Sequence, residues 1–310
     1  MEALPNDLGT LEKRPATSLA AMEEEEEALP DIHNDLQQEV LLRVPYKFHE
    51  KFKTACRRWQ TMMNIPQFYD DRKVYGKSEQ LICLKQICLK HFNEEIVLYD
   101  PVNCTWERIP CSPDFTRFQD ESKLVSLNGK IVLLGGSTPR TIGHMQLIGC
   151  TVFIYDFQFR KWRRGADMRT TRFSFACSVS SSKDFIYVAG GFDELGETLA
   201  TAEVYDVEAD KWEVLPPMPQ RRKNSLGVFM EDKFMVISGT RRDLHFLDLQ
   251  SLPVERSAKV FDTKTSTWNT LEDMWPLDFM SLDSCQGCVS ACGNMYVIDS
   301  LKKVTRKYDA

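Results

Sequence analysis

Three cysteines, Cys285, Cys288 and Cys292, form the one cluster in this 310-residue chain that is spaced like soft metal ligands. A structural zinc site needs a fourth ligand, and the nearest histidine in sequence is His245. The cysteines fall in and just after a run that reads as an inner strand, where small residues pack well. Core packing is the expected role, and no metal is assigned. Nucleophile and phosphate chemistry have no support, because neither Gly-x-Ser-x-Gly nor a Gly-Lys-Ser/Thr loop occurs. No catalytic residue and no cofactor follow. What remains is recognition. Arg172 and Arg222 each stand four residues after a methionine, Met168 and Met218, at a junction between loop and strand. Arg221, Lys223, Arg241 and Arg242 add positive charge in neighbouring loops. Clustered guanidinium groups suit acidic or phosphorylated segments. The competing reading makes Arg172 and Arg222 structural or merely solvated.

The elements that position these residues are repeated. An aromatic–Asp pair followed by tryptophan recurs about every 50 residues. The copies are Tyr99-Asp100 with Trp106, Tyr155-Asp156 with Trp162, Tyr205-Asp206 with Trp212, and Phe261-Asp262 with Trp268. A fifth start, Tyr308-Asp309, has no tryptophan after it. Short apolar runs precede the pairs and end in Gly135-Gly136, Gly190-Gly191 and the weaker Ser238-Gly239; in the last run, Asp299-Ser300 stands at that position. Turn signals introduce each run: Asn128-Gly129, Ser182-Lys183-Asp184, Glu231-Asp232 and Gly293-Asn294. Met168, Met218 and Met274 follow three of the tryptophans at one spacing, and Ser112 breaks that pattern in the first copy. The first copy also lacks a glycine pair; Leu81 to Lys85 reads as its strand, and Gln86 to Phe92 as helix-like. Within each repeat the aspartate is expected to satisfy backbone donors in its turn, and the aromatics to pack between units.

Composition bounds the rest. With 43% hydrophobic and 27% charged residues the chain has the profile of a soluble globular protein. A net charge of −6 argues against a nucleic-acid binder. Residues 1–27 are polar, end in the run Glu23 to Glu27, and read as a disordered acidic tail; Met22 is an alternative start. Ten cysteines without a secretory signal imply free thiols and a reducing compartment, cytoplasm or nucleus.

From Leu29 to Arg72 the periodicity is helical. Leu36, Val40, Leu41 and Val44 recur on one helix, with Asn34 or Asp35 as its cap and Pro45 as its end. Phe48, Phe52, Ala55, Cys56, Trp59 and Met63 mark a second amphipathic stripe, and Phe68 and Tyr69 follow Pro66.

Ala28-Leu29-Pro30-Asp31, Val40-Leu41-Leu42-Arg43-Val44-Pro45 and Ala55-Cys56-Arg57-Arg58-Trp59 together resemble an F-box, although the usual Leu-Pro position falls on Ile32-His33. Glycine pair, Tyr-Asp, Trp and Met in this order resemble kelch repeats, each a four-stranded blade of a β-propeller. The combination is similar to plant F-box/kelch-repeat proteins, including the KISS ME DEADLY group. That group also carries a Phe…Arg-Lys segment before a Leu-Ile-Leu run, as in Phe68, Arg72-Lys73 and Leu81-Ile82-Cys83-Leu84.

The resemblance implies an α+β multidomain chain. Its parts would be the tail at 1–27, a helical F-box at 28–72, and an all-β kelch propeller at 73–310. The propeller would have four recognisable blades and a truncated or incomplete fifth. Closing the ring would take a further C-terminal segment or a strand from elsewhere in the chain.

It also implies a non-catalytic substrate receptor of an SCF-type ubiquitin ligase. Ile32, Leu36, Val40, Leu41, Val44 and Pro45 would meet a Skp-family adaptor, and through it cullin and RING subunits. Arg172, Arg222, Arg241 and Arg242, with the long loops 137–154 and 240–260, would meet the protein substrate. The group is associated with turnover of phenylalanine ammonia-lyase or of cytokinin response regulators, and these residues assign neither. The alternatives are a kelch scaffold without a ligase role and a copper oxidase on a kelch propeller. The second would need histidine and tyrosine ligands converging on the axis, and the chain has five histidines, His33, His49, His91, His144 and His245.

Overall fold

The computed structural model describes residues 34–88, 93–110, 122–135, 137–142, 145–240, 256–272, 274, 285–291, 294–299 and 304–309. The chain divides into two compact units, Met1–Gln80 and Leu81–Ala310.

The first unit is helical. Helix α1 spans Asn34–Arg43, a 3-10 turn Tyr46–Phe48, α2 His49–Lys53, α3 Arg57–Asn64 and α4 Pro66–Val74. Pro45 comes after the end of α1 and opens the 3-10 turn. The second stripe is not one helix. It breaks at Thr54–Cys56, where Cys56 turns extended and its sulfur accepts the Trp59 amide, capping α3. Pro66 then stands at the start of α4, where a missing N–H leaves no orphan donor. Leu41, Leu42, Val44, Met63 and Phe68 form the core of this unit, with Phe52 and Trp59 packed against it. The unit extends past residue 72 to Gln80 because α4 ends in a reversal. Gly76, at φ +62°, lets Lys77 donate back to the Arg72 carbonyl and Gly76 itself to that of Lys73.

Among the described residues the second unit is all β. Strands β1 (Ile82–Cys88), β2 (Asn93–Asp100) and β3 (Thr105–Ile109) make a three-stranded sheet. In it Gln86 and Ile87 pair with Glu95 and Glu94 as strand residues, so 86–88 are not helical. Next come β4 (Lys123–Leu127), β5 (Lys130–Leu134), a hairpin of β6 (Ser137–Ile142) and β7 (Met145–Ile148), then β8 (Val152–Asp156) and β9 (Lys161–Arg164). Strands β4, β5, β8 and β9 form the second sheet. The third is β10 (Ala176–Val179), β11 (Phe185–Ala189), β12 (Ala202–Asp206) and β13 (Lys211–Leu215). The fourth is β14 (Leu226–Met230), β15 (Lys233–Ile237), β16 (Ala258–Asp262) and β17 (Thr267–Leu271). The fifth, β18 (Cys285–Ala291), β19 (Asn294–Asp299) and β20 (Val304–Asp309), has three strands. Cys285 and Cys288 therefore lie on an inner strand; Cys292 is outside the described residues.

Each sheet is an antiparallel meander, and the inner strands β4, β10, β14 and β18 touch in succession. The core is a set of layers between sheets. In β5, Ile131 and Leu133 pack toward the first sheet while Val132 and Leu134 pack toward the third. That follows from the two-residue period of a strand buried on both faces. Where β14 passes β10, a side chain on Gly227 would collide with the Cys177 backbone.

The repeated residues hold this stack together. In all four copies the aromatic sits directly across from the tryptophan on the next strand, as in Tyr205 and Trp212, with rings 4.7 Å apart. Each aspartate accepts two backbone amides of the turn that follows: Asp100 from Val102 and Asn103, Asp156 from Gln158 and Phe159, Asp206 from Glu208 and Ala209, Asp262 from Lys264 and Thr265. The turns close on Cys104, Arg160, Asp210 and Ser266, all at φ between 51° and 55°. Gly190, at φ +68°, and Gly191, at φ +89°, admit the loop before the next sheet, whose Arg222 carbonyl accepts the Gly191 amide at 2.7 Å. A methyl on Gly190 would overlap that carbonyl.

Candidate functional site

Two surfaces carry the residues expected to recognise partners, one on each unit.

On the helical unit, α1 is apolar on two sides. Leu41 is fully buried, and Leu42 and Val44 nearly so, whereas Leu36 is 59% and Val40 52% exposed. Leu36 and Val40 are one helical turn apart and so lie on one edge. Between them Gln37 is buried and accepts the Trp59 indole N–H at 3.2 Å, which seats the opposite side of α1 against α3. Pro45 is exposed just past the helix end. Phe48 is partly exposed, with the Lys47 and Lys51 ammonium groups over its ring. Of the six expected adaptor residues, Leu36, Val40 and Pro45 are thus at the surface. Leu41 and Val44 build the core, and Ile32 lies outside the described residues. The spacing of apolar residues marked Leu36, Val40, Leu41 and Val44, but periodicity alone does not distinguish the side of a short helix that packs from the side that is offered.

Beneath this edge is a polar cluster that composition did not reveal. His49 is buried and its Nε2 lies 2.9 Å from the Val44 carbonyl oxygen. Burial lowers its pKa to about 4, opposed by the bond to Val44, with the Arg72 charge lowering it further. Arg72, 2% exposed, donates to the carbonyls of Leu42 and Val44, both at 2.6 Å.

On the propeller, the connections β11–β12 and β5–β8 and the loops leading into β10 and β14 share one end of the sheets, because successive strands are antiparallel. Arg172 and Arg222 lie at this end and are fully buried. The Arg172 guanidinium donates to the carbonyls of Gly190 and Thr201 and pairs with Glu203 at 2.6 Å. Burial lowers the Arg172 pKa, and the Glu203 carboxylate opposes that shift. Glu203, also buried, accepts the amides of Arg169 and Thr170 as well. Arg222 donates to the carbonyls of Ser238 and Ser257 and to the Ser257 hydroxyl. The two arginines therefore tie a loop to the ends of two strands inside one sheet. This corrects the expectation that they face a substrate: with no exposed atoms they have none to offer. Arg241 and Arg242 lie outside the described residues, as does most of 240–260.

The exposed groups at this end lie elsewhere. Leu195 is 64% exposed at the tip of the β11–β12 connection, where the Asp193 carboxylate accepts the Leu195 and Glu197 amides. Glu197 pairs with Arg221 of the neighbouring loop at 3.8 Å, and Glu194 accepts the Thr171 hydroxyl. Sequence patterning missed Leu195, because a single leucine between acidic residues has no period. Among the described residues no group of three or more His, Cys, Asp or Glu side chains is arranged to hold a metal ion.

The kelch motif matches residues 122–169 and 175–219, the second and third sheets. The chain is 32% identical over 284 residues to the F-box/kelch-repeat protein At2g44130 of Arabidopsis thaliana, covering 80% of this chain and 66% of that one. It is 31% identical over 306 residues to the F-box/kelch-repeat protein SKIP20 of the same plant, covering 82% and 68%. Among solved structures it is similar to YjhT, with a TM-score of 0.50 and 13% identity over 66% of this chain and 65% of that one, a likeness of fold. A small helical region followed by four-stranded antiparallel sheets in kelch arrangement defines the class. The chain belongs to the F-box/kelch-repeat proteins, and it spans about two thirds of the length of the first two relatives.

Proposed function

We propose that this protein is the substrate-recognition subunit of an SCF-type ubiquitin ligase. The helical unit docks on a Skp-family adaptor, and the kelch unit captures a protein for ubiquitination and degradation. One observation carries the reading. A short helix buries Leu41 and Leu42 yet leaves Leu36 and Val40 more than half exposed, with Pro45 exposed just past its end. An edge of that kind is costly in water and is explained by a partner that covers it. Family membership supports the same assignment. The receptor breaks no bond; it raises the local concentration of substrate lysines near a ubiquitin-loaded enzyme.

The substrate surface consists of the loops at the Leu195 end of the sheets, where an apolar tip stands among Glu194, Glu197 and Arg221. The substrate is a protein, and phenylalanine ammonia-lyase or a response regulator is the first to test by family resemblance.

The experiment is binding of the full chain to a purified Skp-family adaptor. Leu36→Asp with Val40→Asp is expected to abolish binding while the β-sheet circular dichroism stays unchanged. Undiminished binding by that double variant, or none by the parent, overturns the assignment; the latter result favours a kelch scaffold without a ligase role.

A further inference from the structure

The segment Phe68, Arg72-Lys73 stands out in the sequence, and docking on an adaptor does not by itself account for it. Phe68 is core. Arg72 has a second role. Its side chain is nearly fully buried and reaches two chain segments at once. Nη1 holds the carbonyls of Leu42 and Val44, two of the last three before Pro45. Nη2 holds the carbonyl of Lys77 at 2.7 Å and the Glu79 carboxylate at 2.8 Å. Glu79 closes the loop by accepting the Tyr46 amide at 2.7 Å, on the far side of Pro45. His49 adds a second contact on the Val44 carbonyl. The reversal at Gly76 is what returns residues 77–79 to this position.

We propose that Arg72 is a positioning residue for the adaptor-docking edge. Through Leu42, Val44 and Glu79 it fixes the end of α1 and the turn at Pro45, and so sets where Pro45 lies relative to Leu36 and Val40. The strap Lys77–Glu79 is the other half of the clamp. A planar guanidinium suits the role because it donates in several fixed directions. An ammonium is a point charge on a flexible stem and does not hold the same acceptors in one plane. This inference rests on the docking function proposed above.

The test uses the full chain with Arg72→Lys and, as a milder change that preserves shape, Glu79→Gln. Amide hydrogen exchange at Tyr46 and its neighbours reports the turn, and calorimetry with a purified Skp-family adaptor reports docking. Both variants are expected to exchange faster at Tyr46 and to bind about tenfold more weakly, with helix content retained. Leu36→Asp is expected to lose binding without altering exchange at Tyr46. Unchanged exchange in Glu79→Gln, or faster exchange with parental affinity, overturns the positioning role. If Arg72→Lys fails to fold, Glu79→Gln decides alone. A parent chain that does not bind overturns the docking function instead, and with it the basis of this inference.

Discussion

The indole N–H of Trp212 donates to the carbonyl oxygen of Ala166 at 2.8 Å, across the boundary between the third sheet and the second. Trp162 reaches Pro110 at 2.8 Å and Trp268 reaches Pro216 at 2.7 Å in the same way. Each of these three tryptophans pairs with an aromatic in its own sheet and latches to a residue one or two positions beyond the outer strand of the preceding one. The signature that marks the repeat thus marks the joints between repeats. Trp106, in the first sheet, is 61% exposed.

Replacing Trp212 by Phe keeps most of the apolar contact and leaves the Ala166 carbonyl without its donor. The expected loss is about 1–3 kcal/mol, read as a lower midpoint in urea. Trp106→Phe is expected to stay within about 0.5 kcal/mol of the parent, as exposed substitutions do.

Gly190 and Gly129 have nearly the same backbone angle, φ +68° and +70°, but different surroundings. Gly129 has nothing within 4 Å of an added methyl, whereas at Gly190 the Arg222 carbonyl stands in the way. Gly129→Ala should cost about 1 kcal/mol, the strain of a left-handed residue. Gly190→Ala should cost at least twice that, because the loop before β14 must move as well. Thermal unfolding of the two variants side by side measures the difference.

His49 makes the helical unit sensitive to acid. Its pKa falls from 6.5 to about 4 on folding because burial disfavours the charged ring. A lowered histidine pKa means the unfolded chain binds the proton first, so its contribution is fully present above pH 6.5. That contribution is lost as pH falls toward 4, about 3 kcal/mol over the window. Hydrogen exchange at α1 and α2 should rise between pH 6.5 and 4 in the parent. His49→Gln, which keeps a donor for the Val44 carbonyl, should flatten that profile.

The Arg172–Glu203 pair predicts a fold defect and not a recognition defect. Glu203→Gln leaves a buried guanidinium without its counter-charge and should destabilise the third sheet by about 3 kcal/mol. Arg172→Glu places two carboxylates together and should be worse. In both variants a drop in melting temperature is expected to accompany any loss of substrate capture; capture lost at parental stability would contradict the scaffold role.

Much of this was legible in the chain because repeats write the same physics several times. Tyr-Asp followed by Trp announced strand, turn and strand, and the structure places the aspartates and aromatics in those roles. Of the helix-like run Gln86 to Phe92, residues 86–88 are strand and 89–92 lie outside the described residues; Gln, Ile and Cys suit either state when no neighbour is in view. Pairing of Ile87 with Glu94 decides for strand. Arg172 and Arg222 looked like surface charges because arginine usually is one. Only the folded chain brings the carbonyls of Gly190, Thr201, Ser238 and Ser257 around them.

The sequence by itself determined the order of the units, the period of the sheets and the turns that introduce their strands. All of these depend on residues near one another along the chain. Tertiary structure alone decided which side of α1 is offered and which is buried. It also decided that the arginines are scaffold, that Leu195 is presented, and that Arg72 spans Leu42, Val44 and Glu79. Burial and long-range hydrogen bonds depend on what arrives from elsewhere in the chain, and no local pattern encodes that arrival.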